Sequence, residues 1–318
     1  MNRYQELVKV LGKGLKRNEP MARHTTFKIG GPADFFYEAK TERELILAVK
    51  LARELKIPYF ILGGGSNVLV GDRVKGLVIK IANCELSREA GSRFAGRIAN
   101  LSGETKIYAE AGVPLAKVVQ FAANHSLSGL EFAAGIPGTV GGAVYGNAGT
   151  PKNWVFGKSI GDQVESVTLL MPNGRIKIVN REWMKFDYRE SRLKSYSPEE
   201  CPIILSVVLR FEKGEKAAIE RSIREKLKKR AEKIPSEPSA GCVFKNPKGD
   251  FAGRLIEEAG LRGFPFGGAK ISEKHANFIV NTGHASASDV LTLMKRIKEK
   301  VWEKFKVKLK EEIVLVGR

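Results

Sequence analysis

Two glycine-rich stretches constrain this chain most: Gly63-Gly64-Gly65-Ser66-Asn67, and the fifteen-residue run GIPGTVGGAVYGNAG from Gly135 to Gly149, in which six residues are glycine. Glycine in bulk loses more conformational entropy on folding than any other residue. It is therefore placed where the backbone takes positive φ or comes into van der Waals contact with something large. Neither stretch reads as ordinary core. Two of them in one chain predict an extended, anionic ligand lying against bare backbone. Successive N–H groups of a glycine loop form a concave nest for anions, and Ser66 and Asn67 add side-chain donors. A tight turn without a ligand is the other reading of GGGSN taken alone. The second stretch tips the balance, because Gly138, Gly141 and Gly142 are spaced to keep a backbone face free of side chains, beyond what a turn requires.

Composition removes whole classes. A chain of 318 residues, 43% apolar and 28% charged, is that of a globular protein with room for two or three cores. No apolar run approaches membrane-spanning length. The first twenty residues mix lysine and glutamate with short apolar groups, so no signal peptide is expected. Cys84, Cys201 and Cys242 are odd in number and widely spread, which predicts no disulfide framework and a reducing, cytoplasmic setting. The net charge of +19 raises a nucleic-acid partner as an alternative. However, the most basic run, Arg221 to Lys233, has helical spacing and interleaved glutamates and reads as a solvated helix face. No nucleic-acid partner and no membrane insertion are expected.

The pattern along the chain alternates short strands and helices. It predicts a strand over 33–39, a helix over 41–56 opened by a Thr cap with Glu44 three residues later, and a strand over 58–62 that enters the first glycine loop. Strands come next at 76–81 and 106–111, then a helix from Pro114 to about Asn124. Residues 83–103 are polar and read as a surface excursion. Residues 164–179 read as a hairpin around Pro-Asn-Gly, and 202–211 as a strand. Beyond the charged FEKGEK, taken as a domain boundary, the pattern restarts: helix 214–231, strand 241–245, helix 251–259, strand 276–281, a long helix from Ser286 and a last strand over 312–316. The fold class is α+β.

Familiar nucleotide motifs fail. No G-x-G-x-x-G follows a strand. Gly157-Lys158-Ser159 mimics the end of a Walker sequence, yet Lys152 stands where its leading glycine belongs. The histidines at 24, 125, 275 and 284 make no metal-ligand pattern. What remains is a diphosphate gripped by loop backbone.

Seven collinear blocks then carry a resemblance: TTFKIGGPADF (25–35), LGGGSNVLV (62–70), the run from Gly135 to Gly149, FDYRES (186–191), PSAGCVFKNP (238–247), KHANFIVNTG (274–283) and EIVLVG (312–317). Together they closely resemble the UDP-N-acetylenolpyruvoylglucosamine reductase family. The resemblance implies a two-part FAD-binding fold of the vanillyl-alcohol-oxidase type, over 1–75 and 76–212, and a C-terminal α+β substrate-binding domain over 213–318 to whose site the last strand contributes Glu312. It implies non-covalent FAD with NADPH as co-substrate. The cofactor residues become Gly63, Gly64, Gly65, Ser66, Asn67, Gly112, Gly135, Gly138, Thr139, Gly141, Gly142, Asn147 and Gly149.

The implied substrate is UDP-N-acetylglucosamine enolpyruvate. Hydride added to the methylene carbon of the enolpyruvyl ether leaves negative charge that spreads into the carboxylate, which calls for a cation or donor there and an acid beside the adjacent carbon. By motif, Arg189 and Glu312 match the pair that polarises the carboxylate, and Cys242 matches the proton donor. Read without the family, Arg189 and Glu312 are ordinary surface charges and Cys242 a small buried hydrophobe. Many relatives carry serine at the Cys242 position. A thiol is the stronger acid, so the role survives the change. Tyr188, Lys233, Asn246 and His275 are the implied substrate or nicotinamide contacts. No inserted loop separates the strand near Phe211 from the next helix, which resembles the compact class of these reductases. A flavin oxidase of the same fold is the alternative reading.

Overall fold

The computed structural model describes residues 3–82, 86–87, 105–152 and 155–317. Most of the polar excursion over 83–103, and Cys84 with it, lies outside them. The chain divides into two compact units, one formed by Met1–Leu15, Tyr37–Gly64 and Ile79–Lys229, the other by Lys16–Phe36, Gly65–Val78 and Arg230–Arg318. The division therefore falls inside the GGGSN loop, between Gly64 and Gly65. A four-stranded sheet is ordered Leu15–Pro20, Pro32–Ala39, Val74–Ile81 and Tyr59–Leu62.

The first unit is built on a sheet ordered Ile176–Asn180, Val164–Leu170, Ile203–Lys213, Thr105–Glu110 and Leu86–Ser87. Leu127–Ser128 also pairs with the end of Ile203–Lys213. The apolar run Ile203–Leu209 is buried at every position, as befits a central strand covered on both faces. The predicted hairpin closes through Met171–Arg175, with Gly174 at φ 78. Arg53 ties that turn to the helix Glu42–Glu54 by donating to the carbonyls of Met171 and Pro172. The helix starts as its sequence predicts: Thr41 Oγ1 accepts from Glu44 N at 3.1 Å, and Glu44 reaches back to Lys40 N at 2.7 Å. Its Leu45, Ala48, Val49 and Ala52 are buried, one stripe of an amphipathic helix. Elements that the sequence reading did not predict include the helices Arg3–Leu11 and Arg181–Met184, a six-residue helix, Val140–Tyr145, inside the second glycine stretch, and several short strands such as Leu15–Pro20, Val68–Val70 and Ala269–Ile271.

The second unit carries an antiparallel sheet ordered Ser239–Cys242, Phe278–Asn281, Ala269–Ile271 and Pro265–Phe266. The long helix Ala287–Phe305 starts at Ser286, whose hydroxyl accepts from Asp289 N while Asp289 accepts from Ser286 N. It buries Val290, Leu293, Met294, Ile297 and Val301 in a core shared with Phe27, Leu69, Phe244, Leu255 and Ile279. Two predicted strands are shorter than expected. The strand anticipated over 241–245 ends at Cys242, because the chain beyond it leaves that sheet and bonds to residues 310–312 instead. The last strand, Val314–Val316, runs parallel to Val68–Val70, immediately after the first glycine loop.

The helix Lys216–Lys233 buries only Ile219 along its 18 residues. Its basic run is a solvated face, as its interleaved glutamates predict. Among the described residues, no helix is long and apolar enough to cross a membrane.

Candidate active site

In the first unit, Tyr59–Leu62 delivers the chain into Gly63-Gly64, which lie directly on the second glycine stretch. A Cβ on Gly64 would stand 2.8 Å from Gly138 Cα, and one on Gly63 2.7 Å from Thr139 Oγ1. Side chains at either place would force the two loops apart. Thr139 caps the short helix by accepting from Gly142 N at 3.4 Å. Successive residues of a helix point about 100° apart, so its two glycines serve different needs. Gly141 faces inward, where a Cβ would meet Ala111 Cβ at 2.8 Å, and its N–H donates to the Ala111 carbonyl at 2.9 Å. Gly142 is exposed, and a Cβ there meets only Thr139 Oγ1, at 3.6 Å. The single bare face expected of Gly138, Gly141 and Gly142 is thus divided: Gly141 is required by the protein's own packing and Gly142 leaves open surface.

The other glycines sort the same way. Gly149 lies against Lys158 O, 2.6 Å from where its Cβ would be. Gly112 is buried in the turn after Thr105–Glu110, and Gly135, at φ 76, is exposed. Asn147, buried at φ 44, is a clamp: its Oδ1 accepts from Gly161 N at 3.0 Å and its Nδ2 donates to Asp187 O at 2.8 Å.

That second bond fixes the turn bearing Tyr188 and Arg189. The main chains of Asp187 and Glu190 exchange two hydrogen bonds across it, of 3.1 and 3.0 Å. Arg189 is held at φ 56, a left-handed conformation that costs a non-glycine residue energy and concentrates at functional sites. Its guanidinium carbon sits 5.8 Å from the Tyr188 ring centroid, and its carbonyl accepts from Lys194 Nζ at 2.6 Å. Nearby, burial pushes the Tyr145 hydroxyl up to about 12 and the Cys201 thiol up to about 11. Cys201 therefore stays a neutral thiol.

In the second unit, the remainder of the first glycine loop meets the C-terminal segment. Gly65 (φ 64) could not be another residue, since a Cβ would lie 2.0 Å from His24 O. Ser66 is half-buried beside it. Asn67 Nδ2 donates to Glu312 O at 3.1 Å, and Asn67 O accepts from Val314 N at 2.9 Å. Glu312 N in turn donates to Val243 O at 2.8 Å, one residue beyond Cys242. Cys242 itself comes after a register shift against Phe278–Asn281, and Gly241 within that shift has φ 79. A bulge of this kind re-aims the side chain next to it. Half-buried Cys242, Glu312 and the end of the glycine loop are thereby brought into one neighbourhood.

The remaining candidates sit around this frame. Asn246 Oδ1 accepts from Ala252 N at 3.1 Å, at the start of the helix Ala252–Glu258. His275 has its pKa lowered, mainly by burial, with the Lys233 charge acting in the same direction. Its Nδ1 accepts from Asn277 N at 3.3 Å, which leaves Nε2 as the protonated nitrogen of the neutral ring. Lys233 ends its helix exposed, and Lys274 donates to Ala231 O in that last turn at 2.7 Å.

The sequence relationships agree with this geometry. Residues 233–316 match the model of the UDP-N-acetylenolpyruvoylglucosamine reductase C-terminal domain, and 33–180 match an FAD binding domain. A UDP-N-acetylenolpyruvoylglucosamine reductase from Caldanaerobacter subterraneus subsp. tengcongensis is 44% identical over 98% of this chain and 97% of its own length. The chain belongs to the UDP-N-acetylenolpyruvoylglucosamine reductase family. A reductase of that name from Carboxydothermus hydrogenoformans is 41% identical over 98% of this chain and 97% of its own length. The solved reductase of Thermus caldophilus superposes with a TM-score of 0.75 at 36% identity, covering 95% of this chain and all of the other. A vanillyl-alcohol-oxidase-type flavoprotein from Myceliophthora thermophila, at TM-score 0.55 and 10% identity, covers 95% of this chain and 84% of its own and shares the fold alone.

Like its family, the chain is an FAD-dependent oxidoreductase. The residues present fit that cofactor. Two loops meet backbone to backbone at Gly64 and Gly138, and Gly142 adds open surface where any side chain would stand proud.

Sequence reasoning missed two buried asparagines that bind main chain through their amides, of which Asn277 holds the segment next to Cys242 and Asn281 lies apart from it. Asn277 binds the main chain of Phe244 through both ends of its amide, and Asn281 donates to Phe27 O at 3.1 Å while accepting from Gly283 N and Ala285 N. The available signal was an asparagine at each end of the apolar FIV in KHANFIVNTG. A polar residue beside such a strand is buried only when its hydrogen bonds are met.

Proposed function

We propose how the residues of this chain divide the work of the reductase reaction, in which NADPH reduces the enolpyruvyl ether of UDP-N-acetylglucosamine to UDP-N-acetylmuramate for peptidoglycan synthesis. Bound FAD would supply hydride transfer between NADPH and the methylene carbon of the enolpyruvyl group. Gly63 and Gly64 with Gly138, Thr139 and Gly142 would hold it, and Gly65 through Asn67 close the loop. Gly112, Gly135, Gly141, Asn147 and Gly149 keep that cradle in shape or line it. Functionally the chain divides into FAD-binding parts over 1–75 and 76–212 and a substrate-binding part over 213–318.

The carbon next to the accepted hydride takes a proton from Cys242, whose thiol is a far stronger acid than an alcohol. The thiolate left behind is reprotonated from solvent. Arg189 and Glu312 hold the carboxylate into which the charge spreads, where a positioned charge or donor acts most strongly on the transition state. Tyr188, Lys233, Asn246 and His275 bind the substrates, and the neutral His275 ring does so as an Nε2–H donor.

One observation supports this reading above the rest: main-chain bonds join Cys242's neighbour Val243 to Glu312, and Glu312 to Asn67 of the glycine loop. The deciding experiment is anaerobic. Enzyme reduced with one equivalent of NADPH is mixed with UDP-N-acetylglucosamine enolpyruvate, and absorbance near the flavin maximum is monitored. Rapid reoxidation in the wild type and a rate ~10²–10⁴ lower in Cys242→Ala are expected. Reoxidation of the alanine variant at the wild-type rate would place the proton donor elsewhere.

A further inference from the structure

Cys242 and Glu312 come from segments seventy residues apart, yet they share one peptide unit: Val243, next after Cys242, accepts from Glu312 N at 2.8 Å. What holds that peptide in place is not the sheet, since regular pairing with Phe278–Asn281 stops at Cys242 after the bulge. It is Asn277, only 2% exposed. Its carbonyl accepts from Val243 N at 2.8 Å. Its side-chain Oδ1 accepts from Phe244 N at 3.0 Å and its Nδ2 donates to Phe244 O at 2.8 Å. The amide thus imitates a strand partner for one residue. The far side of the same segment pairs with residues 310–312, through the isolated Phe244–Glu311 bridge and Lys245 N to Lys310 O. Segment 243–245 is gripped on one edge by Asn277 and on the other by 310–312.

We propose that Asn277 is a positioning residue for the proton-transfer half of the reaction, setting the distance and direction between Cys242 and Glu312 through the Val243–Phe244 main chain. The proposal rests on the assignment of Cys242 and Glu312 made above. An isolated amide is suited to the task, because both polar edges of one residue can be met only by a group with a donor and an acceptor side by side. Phe244 is fully buried, so water does not replace the missing partner. Orientation errors of an ångström in a reacting group cost on the order of 100-fold in rate.

The test compares Asn277→Ala and Asn277→Asp with Asn281→Ala. Asn281 is a matched control: it is also buried, ends the strand that Asn277 precedes and makes main-chain bonds of its own, none of them to Val243 or Phe244. For each holoenzyme, thermal stability, flavin content, the rate of flavin reduction by NADPH and the rate of reoxidation by the enolpyruvyl substrate are measured separately. The Asn277 variants are expected to reduce within about twofold of wild type while reoxidising ~10–100-fold more slowly. Asn281→Ala is expected to melt earlier and to slow neither step selectively. The proposal is overturned if the Asn277 variants lose both half-reactions in proportion, if Asn281→Ala shows the same selective loss, or if neither Asn277 variant folds with flavin, which would make Asn277 a residue of folding alone. Cys242→Ala in the same assay separates the two claims: if it reoxidises normally the Cys242 assignment fails, and if only the Asn277 variants do so the positioning role fails.

Discussion

The adjacent glycines 141 and 142 make opposite predictions for the same one-methyl change. In Gly142→Ala the new Cβ meets only Thr139 Oγ1, at 3.6 Å, an ordinary contact. Gly142 lies in the helix Val140–Tyr145 and is not among the residues with positive φ. Alanine there gains about 1 kcal/mol of helix propensity in the protein without cofactor, which for a chain of this size raises the melting temperature by about 1–2 °C. If Gly142 lies against FAD, the same methyl intrudes on a packed contact at about 1–3 kcal/mol, or roughly 5- to 150-fold in affinity. Gly141→Ala places its methyl 2.8 Å from Ala111 Cβ and 3.1 Å from Ala111 O, so it destabilises the apoprotein too. The assay is a pair of measurements on stripped protein: thermal unfolding, then titration with FAD read by fluorescence quenching. Refutation is simple. If Gly142→Ala is stabilised and still binds FAD as tightly as wild type, Gly142 does not line the cofactor.

Further expectations concern thiols and protons. Cys242→Ser retains substantial activity, because the hydroxyl restores a donor at the same place; rapid mixing should show its reoxidation much faster than that of Cys242→Ala. Iodoacetamide at pH 8 labels the Cys242 peptide well ahead of the Cys201 peptide, since burial holds the Cys201 thiol up at about 11; mass spectrometry that finds Cys201 labelled first contradicts that assignment. His275 has its folded pKa depressed below the ordinary 6.5, so the unfolded chain takes up its proton first as pH falls. Its contribution is fully present above about 6.5 and is lost below it. The melting temperature of His275→Gln should therefore fall less steeply than that of wild type between pH 6.5 and 5, and identical slopes would remove His275 as the cause.

The elements legible in the sequence were those whose signals are local. Thr41 with Glu44 and Ser286 with Asp289 mark helix starts within four residues, and Pro172-Asn173-Gly174 marks a hairpin between β-branched runs. Each formed where its signal stood. The elements that escaped depend on partners remote in sequence. The helix Val140–Tyr145 is made, apart from Ala143, of residues that disfavour helix and stands because Thr139 caps it and Ala111 and Val113 accept its first N–H groups. The strand expected to reach 245 ends at Cys242 because a bulge interrupts it and the segment 310–312 captures residues 243–245. At the site, residue types in motif blocks named the candidates, but not which were structural. Asn147 looked like a ligand contact, and its amide is committed to Gly161 and Asp187. Asn277 looked like any strand residue.

The parallel pairing of Val314–Val316 with Val68–Val70, together with the bond from Asn67 to Glu312, has a consequence for biosynthesis. The partners of that bond are 245 positions apart. On the ribosome the GGGSN turn emerges first and must wait, with half of its anchorage still untranslated, until the strand that grips it has cleared the exit tunnel. If that turn seats the cofactor as proposed, a nascent chain has no finished seat until Val314–Val316 and the Glu312 just before it have emerged, and flavin loading is expected to be a late event.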